Sequence, residues 1–199
     1  DKLSLFWETS LGHGNFFQYS SRYDKYLEGT VLPAFDPQLS GGALYDINIY
    51  NLNLIIGLFG APNSLVYQAR KGFNGIDTSG VVLMSYPEFQ ALAIGAKDSD
   101  SPSTCLIQGE KGWLKIETAP NQLEKITCQI RREDNIQEYA LNQYPHRLSH
   151  EFAAFAAMLA NKDFAGRDLY LNISLQVAEA AEKARKQAGI NFPADQHPH

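Results

Sequence analysis

Residues 41–70, GGALYDINIYNLNLIIGLFGAPNSLVYQAR, contain the change of periodicity on which the fold assignment depends. A helix is predicted from Gly41 to Phe59, because apolar residues recur at helical spacing and the following Gly-Ala-Pro supplies stop signals. From Ser64 onward the apolar residues occur in short runs rich in β-branched and aromatic side chains, which is typical of strands. The chain therefore passes from a helix into a region of strands.

Short strand-like runs dominate the middle of the chain, separated by Pro, Gly, Asp or Asn turns. One strand is predicted before the helix, at residues 15–20. Those after it are predicted at residues 64–70, 80–86, 89–97, 103–108, 113–117, 126–131 and 136–141. Pro87-Glu88 and residues 133–135 are plausible hairpin connections. Neighbouring strands should therefore be mostly antiparallel.

Two further helices are predicted near the C-terminal end. The first has Pro145 in its first turn and an apolar face at helical spacing, formed by Leu148, Phe152, Phe155 and Leu159. The last begins after Asp168, its predicted cap, and ends before Gly189.

The order strand, helix, strands, helices indicates the α+β class over a single domain, residues 1–199. We expect a mainly antiparallel open sheet of about six strands with the three helices on one face. The other face then needs a cover. A second copy is the obvious candidate, which predicts a homodimer with an isologous contact above roughly 1,000 Å².

Composition excludes several classes of function. The 199 residues are 44% hydrophobic and carry a net charge of −5 without any block of like charges, so a nucleic-acid footprint is absent. No apolar run approaches the roughly 18 residues of a membrane span, and no signal peptide is recognisable, which predicts a cytoplasmic protein without membrane partners. Cys105 and Cys128 lie in apolar runs and are predicted to be reduced core thiols. His146 and His150 lack the accompanying carboxylate of a zinc motif, so no metal site is expected.

The first helix carries an unusual polar stripe. Asp46, Tyr50, Asn53 and Gly57 follow one another at spacings of four, three and four, which places them on one face of a helix that is apolar nearly all round. A buried carboxylate is costly unless it is hydrogen-bonded or faces a wet cavity. The stripe is therefore either a hydrogen-bonded seam between helix and sheet or one wall of a site.

Residues 40–50, SGGALYDINIY, resemble the Gly-Gly-x-x-x-Asp-x-Gly-x-His/Tyr signature of the Gfo/Idh/MocA family of oxidoreductases. The similarity continues, in the family's order, through residues 58–62, 75–80, 107–114 and 188–193. The chain departs from the signature at two positions. Asn48 stands where the family usually has Gly, and Tyr50 stands where most members have His, as in the dihydrodiol-dehydrogenase-like branch.

The resemblance implies a two-domain enzyme in which an N-terminal Rossmann domain binds NAD or NADP and this domain binds substrate and assembles subunits. Transferred by position, Asp46 and Tyr50 would be catalytic, Asp46 holding substrate hydroxyls or orienting a proton relay and Tyr50 acting as general acid/base. A phenol titrates near about 10 and needs a neighbouring cation to act near neutrality. Arg22, Tyr23 and Asn53 are candidate substrate-binding residues, with Arg22 and Tyr23 equally able to contact a partner subunit.

The nucleotide-binding half is predicted to be absent from this chain. No Gly-x-Gly-x-x-Gly occurs, and the closest segment, Gly12-His13-Gly14, lacks the third glycine. The chain alone is therefore expected to bind neither NAD nor NADP and to be inactive.

Three hypotheses follow for the function. The leading one is the substrate domain of an oxidoreductase acting on a sugar, polyol or related hydroxy compound. The alternative is a non-catalytic binding or regulatory module of the same fold, which the departure at Asn48 and the missing nucleotide half favour, and which Asp46 and Tyr50 together argue against. A purely structural dimerisation domain would explain an open sheet face but not the polar stripe.

Overall fold

All strands of the described chain belong to one sheet. The computed structural model describes residues 9–140 and 142–196. The strands are β1 (Thr9–Phe17), β2 (Ser64–Lys71), β3 (Asp77–Ser85), β4 (Gln90–Ala96), β5 (Cys105–Gly109), β6 (Gly112–Ile116), β7 (Ile126–Ile130) and β8 (Gln137–Tyr139). They form an eight-stranded sheet in the order β2-β3-β4-β1-β5-β6-β7-β8. Every neighbouring pair is antiparallel except β1 and β4, which are parallel. The predicted α+β class with a mainly antiparallel sheet is confirmed, with more strands than the six expected.

Strand β1 lies near the centre of the sheet and begins earlier than predicted. The sequence placed it at residues 15–20, whereas it spans Thr9–Phe17. Gly12 and Gly14 have no side chain, so the alternation of apolar and polar residues that marks a strand is hidden in this part of β1. Gly14 is needed where the helix approaches the sheet, because a Cβ there would lie 2.8 Å from Oδ1 of Asn51.

The predicted first helix starts with a different geometry from the one expected. Its first turn, Leu44–Asn48, is π-helical, and the α-helix α2 (Ile49–Phe59) continues from it. The predicted start at Gly41 is therefore three residues too early, although the end at Phe59 is as predicted.

A buried carboxylate fixes the start of this helix. Oδ2 of Asp77 accepts hydrogen bonds from the backbone N–H of Leu44 and from the hydroxyl of Tyr67, each at 2.6 Å. Burial raises the pKa of Asp77, and burial beside that carboxyl raises the pKa of Tyr67. Gly42 has a φ of 110°, and a Cβ there would lie 2.2 Å from Oδ1 of Asp77. The glycine pair of the signature is thus required by the approach of Asp77 to the helix start.

Helices α2 and α4 (Phe164–Gln187) pack together on one face of the sheet and enclose the main core. Helix α4 starts at Phe164 rather than after Asp168, because the carboxylate of Asp163 accepts a hydrogen bond from the backbone N–H of Gly166 and caps the helix. A short helix, α1 (Tyr23–Leu27), adds an aromatic cluster to this core. The largest fully buried core side chains on this face are Tyr26, Phe35, Leu44, Leu52, Ile56, Ile76 and Met84.

Helix α3 (Leu148–Asn161) differs from the expectation that all three long helices cover the sheet. It contacts α4, and none of its residues is buried within the described ranges. Its predicted apolar face exists, but Phe152 is 68% exposed and Leu159 is 67% exposed. Helical periodicity locates an apolar face without showing what covers it.

The opposite face of the sheet is uncovered in the described chain. Side chains that point away from the helices form a row across five strands, comprising Val66, Leu83, Leu92, His13 and Leu106. These side chains are half-buried or exposed. The second face is therefore partly apolar, as predicted.

Cys105 and Cys128 are buried and unpaired, which confirms the prediction of reduced core thiols. Burial raises the pKa of the Cys105 thiol to about 11. Among the residues that the structure describes, no helix combines the length and apolar character needed to cross a bilayer.

Candidate functional site

The polar residues gather at the carboxyl ends of the two parallel strands. Phe17 at the end of β1 is paired with Ala96 at the end of β4. The pairing continues beyond the strands, since the backbone N–H of Ser20 donates to the carbonyl of Lys97 at 2.9 Å. Because parallel strands end at one edge of a sheet, the segments that follow β1 and β4 meet there, beside the π-helical turn.

Two adjoining cavities open at this edge. The first, called the site cavity, has a volume of about 210 Å³ and is lined by Arg22, Asp46, Tyr50, Lys97, Asn121 and Arg147, among others. The second, of about 420 Å³, shares Arg22 and Asp46 with it. Together they reach the size of ordinary small-molecule sites, which occupy roughly 300–1,000 Å³.

Asp46 and Tyr50 line the same cavity and are not enclosed. The side chain of Asp46 is 53% exposed, and Tyr50 is 38% exposed. The ring of Tyr50 packs on Phe16, with ring centroids 5.8 Å apart. A hydrogen-bonded seam would have buried both polar groups, so this part of the stripe forms the wall of a cavity. The π-helical geometry around Asp46 is of a kind found frequently at functional sites.

Lys97 is the residue of this site that the sequence did not reveal. Its side chain is 1% exposed, and its Nζ donates to Oδ2 of Asp46 at 2.6 Å and to the carbonyl of Ala34 at 2.7 Å. The ammonium also lies 4.4 Å from the ring centroid of Phe35. In the sequence Lys97 is only the last residue of a predicted strand. Its position as a cationic residue at the end of an apolar strand was the only sign in the sequence that it belongs to a site.

The electrostatics of Lys97 are set by burial. Burial lowers the pKa of Lys97, and the nearby guanidinium of Arg22 lowers it further, while Asp46 and Asp77 act in the opposite direction. The ammonium is held in place by the carboxylate of Asp46. In turn it fixes Oδ2 of that carboxylate, while Oδ1 has no hydrogen-bond partner in the described part of the chain.

Not every predicted substrate residue reaches the cavity. Tyr23 is 7% exposed and packs among aromatic rings of the core, with its ring centroid 6.0 Å from that of Tyr26. The amide of Asn53 donates to the carbonyl of Ile49 on its own helix at 2.8 Å. The structure thus brings Arg22 to Asp46 and Tyr50, but neither Tyr23 nor Asn53. The π-helical turn alters the angular register between Asp46 and α2, so the assumed α-helical spacing does not extend to Asn53.

Asn48, the departure from the family signature, faces strand β4 rather than the cavity. Its amide donates to the carbonyl of Ala93 at 3.0 Å, and its Oδ1 accepts from Nδ2 of Asn51 at 2.8 Å. A Cβ on Gly95 would lie 2.7 Å from Cβ of Asn48, so the glycine at 95 makes room for the asparagine at 48. Asn48 is thus accommodated by packing and hydrogen bonds between helix and sheet. It therefore gives no support to a loss of chemistry.

His146 and His150 accept hydrogen bonds from backbone groups close to them in the sequence. Nδ1 of His146 accepts from the backbone N–H of Leu148 at 3.3 Å, and Nε2 of His150 accepts from that of Gln143 at 3.2 Å. Across residues 9–140 and 142–196, no group of three or more His, Cys, Asp or Glu is placed to hold a metal ion.

The described residues offer hydrogen-bonding groups at the site cavity but no phosphate-binding glycine turn. Carboxylate, phenol and guanidinium groups surround the site cavity. Gly12-His13-Gly14, the segment nearest to a phosphate-binding turn, lies in the middle of β1 with its backbone paired to β4 and β5. These glycines therefore cannot cradle a pyrophosphate.

Comparison with known proteins agrees with the fold and with the motifs around the site. The family model described as the GFO/IDH/MocA C-terminal domain matches residues 10–115. The scyllo-inositol 2-dehydrogenase (NADP(+)) IolU of Bacillus subtilis (strain 168) is 35% identical over 182 residues, covering 92% of this chain and 55% of that protein. The trans-1,2-dihydrobenzene-1,2-diol dehydrogenase of Oryctolagus cuniculus is 26% identical over 175 residues, covering 84% of this chain and 53% of that protein.

Solved structures share the fold at lower sequence identity. KijD10, a 3-ketoreductase from Actinomadura kijaniata in complex with NADP and TDP-benzene, superposes with a TM-score of 0.70 at 18% identity, covering 94% of this chain and 57% of that one. The aldose–aldose oxidoreductase of Caulobacter crescentus gives a TM-score of 0.64 at 16% identity, with coverages of 92% and 56%. The chain spans about half the length of the relatives it matches. On the match of the family model to more than half of its residues, the chain belongs to the GFO/IDH/MocA C-terminal domain family.

Proposed function

We propose that this chain is the substrate-binding part of an NAD- or NADP-dependent oxidoreductase that acts on a sugar, polyol or related hydroxy compound. The observation that carries the proposal is that Asp46 and Tyr50 share one open cavity, with Asp46 anchored by the buried Lys97. The names of the relatives support the substrate class, since one is an inositol dehydrogenase for NADP(+). A non-catalytic module would have no need of a free carboxylate and phenol at the same opening.

The proposed roles follow from the free atoms of the cavity. Oδ1 of Asp46, which Lys97 leaves free, accepts a hydrogen bond from a substrate hydroxyl and orients the ring. The phenol of Tyr50 exchanges a proton with the oxygen on the reacting carbon. The cationic side chains around the cavity favour negative charge as it develops on that oxygen or on the phenol. Bound NAD or NADP supplies the hydride acceptor or donor.

We assign nucleotide binding to the remainder of the full-length protein, in the form of a Rossmann domain. The strand position of Gly12-His13-Gly14 supports this assignment. This chain alone should then show no micromolar affinity for NAD or NADP by calorimetric titration. A tight one-to-one isotherm would contradict the assignment.

The test of the proposed function is Tyr50→Phe in the full-length enzyme, assayed with scyllo-inositol, myo-inositol and D-glucose and with either nucleotide. Loss of the phenol hydroxyl should lower kcat by about 10²–10⁴-fold, the usual scale for a general acid/base. Tyr170→Phe is the matched control, because Tyr170 lies on α4 and is 57% exposed. Unchanged turnover in Tyr50→Phe, or no nucleotide-dependent oxidation of any compound by the unsubstituted enzyme, would favour the non-catalytic module.

We also propose that the uncovered sheet face joins two copies of the protein. The apolar row across five strands, with Leu92 near its centre, supports a self-complementary contact. Leu92→Glu should convert a dimer to a monomer in light scattering, since it places a charge within the contact. Leu27→Glu is the control, because Leu27 lies on α1 and is 64% exposed. A monomeric unsubstituted protein at tens of micromolar would contradict the proposal.

A further inference from the structure

The site cavity has an excess of positive charge that a neutral polyol would not use. Three cationic side chains, Arg22, Lys97 and Arg147, line it together with one acidic side chain, Asp46. Lys97 and Asp46 neutralise each other through their 2.6 Å contact, which leaves two unit charges from the arginines. The chain as a whole carries −5, so the cavity has the opposite sign to the molecule.

Neither arginine is used to hold the fold together. Within the described residues, the guanidinium groups of Arg22 and Arg147 have neither a carboxylate partner nor a hydrogen bond. Arg22 is held through its backbone, whose N–H donates to Oγ of Ser20 at 3.3 Å and whose carbonyl accepts from the N–H of Tyr26 at 3.1 Å. Arg185, by contrast, has a structural role, since its guanidinium donates to both carboxylate oxygens of Asp195 at 2.6 and 2.7 Å. The two cavity arginines therefore have free donors facing the opening that Asp46 and Tyr50 share.

We propose that the substrate carries an anionic group, a carboxylate or a phosphate, that Arg22 and Arg147 bind; the proposal rests on the proposed function and narrows its substrate class. A guanidinium presents a planar pair of N–H donors that matches both oxyanions. Arg22 also borders the adjoining cavity, so the anion lies where the two cavities meet. The reacting hydroxyl then lies at Tyr50, and a hydroxyl between the two ends lies at Asp46.

The two arginines should also make the site discriminate against neutral substrates. A neutral sugar leaves both guanidinium groups paired only with water, whereas a sugar acid or sugar phosphate satisfies them with charged hydrogen bonds. Such bonds are worth more than those between neutral groups, about 1.5–3 kcal/mol each. Loss of either arginine should therefore weaken an anionic substrate by roughly 10- to 100-fold.

The experiment measures KM and kcat of the full-length enzyme with three probes of one ring type: D-glucose, D-glucuronate and D-glucose 6-phosphate. We expect at least one anionic probe to exceed D-glucose in kcat/KM by tenfold or more, with the preferred anion distinguishing carboxylate from phosphate. Arg22→Gln and Arg147→Gln should each raise KM for that probe by tenfold or more, and by at least tenfold more than they raise KM for D-glucose. Arg167→Gln is the control, because Arg167 lies on α4, is not among the residues that line the cavity, and is largely exposed.

Titration calorimetry with the enzyme saturated with NADP measures the affinities of the same three probes independently of turnover. Equal affinity for all three probes, or no binding of either anionic probe, would overturn the inference. Arginine variants that weaken D-glucose as much as the anions would also overturn it, and would indicate that the arginines pair with acids of another part of the protein. Each of these outcomes leaves the effect of Tyr50→Phe on D-glucose turnover intact, so failure here is distinguishable from failure of the proposed function.

Discussion

Replacing Lys97 by methionine separates its contribution to the fold from its contribution to the site. The substitution keeps an apolar stem of similar length and removes the ammonium. It therefore removes the 2.6 Å contact with Asp46, the 2.7 Å hydrogen bond to the carbonyl of Ala34 and the contact with the ring of Phe35.

The expected change in the free energy of unfolding follows from the unequal exposure of Lys97 and Asp46. Removing one partner of a fully buried ion pair costs about 3–5 kcal/mol. Asp46 is 53% exposed, so its carboxylate stays hydrated when Lys97 is removed, and the cost of burying the ammonium disappears as well. The remaining loss is dominated by the carbonyl of Ala34 and the packing on Phe35. We expect Lys97→Met to lower the free energy of unfolding by about 1–2 kcal/mol.

Urea unfolding followed by tryptophan fluorescence and circular dichroism measures this difference. The matched control is Lys115→Met, because Nζ of Lys115 lies 3.4 Å from Glu117 and both side chains are about two-fifths exposed. An exposed pair of this kind contributes about 0–1 kcal/mol. In the full-length enzyme Lys97→Met should also lower kcat by about tenfold, because Asp46 is no longer fixed. A Lys97→Met protein as stable as Lys115→Met, with unchanged kcat, would refute the positioning role.

Other predictions concern the helix start, the C-terminal segment and the core thiol. Gly42→Ala should lower the free energy of unfolding by about 2 kcal/mol or more in urea, because the positive φ and the close carboxylate of Asp77 both exclude a methyl group. Gly57→Ala, at an open helical position, is the control and should raise the free energy of unfolding by up to about 1 kcal/mol. Equal effects of the two substitutions would contradict this prediction. The guanidinium of Arg185 holds the pKa of Asp195 well below its usual range, so its carboxylate stabilises the fold above pH 3.8, and this is lost as pH falls through the lowered pKa. The stability difference between the unsubstituted protein and Asp195→Asn should therefore be constant near pH 6 and shrink as pH falls below 3.8, and a pH-independent difference would refute it. Burial and the raised pKa of Cys105 predict slow alkylation by iodoacetamide at pH 8 until urea unfolds the protein, as mass spectrometry would show.

The elements with a regular pattern were predictable from the sequence. In β7 the residues Ile126, Cys128 and Ile130 alternate with polar neighbours, and the strand ends within one residue of its predicted bounds. The hairpin at Pro87-Glu88 connects antiparallel strands as expected. Local composition decides both features, so no knowledge of distant contacts was needed.

The features that were missed depend on contacts between distant parts of the chain. The parallel pairing of β1 with β4 and the capping of Leu44 by Asp77 leave no local pattern in the sequence. The same holds for the contact between Asp46 and Lys97, which joins the first turn of the helix to the residue after β4. Asp46 and Tyr50 were found because their positions match the family signature, whereas Asn53 followed from an α-helical spacing that the π-helical turn interrupts.

The most direct test of the reaction site is the crystal structure of the full-length protein with NADP and its substrate. We expect the substrate in the site cavity, with Oη of Tyr50 about 2.6–3.2 Å from the oxygen on the reacting carbon and a second hydroxyl hydrogen-bonded to Asp46. A nicotinamide and substrate bound together away from Tyr50 and Asp46 would contradict the assignment of this cavity as the reaction site.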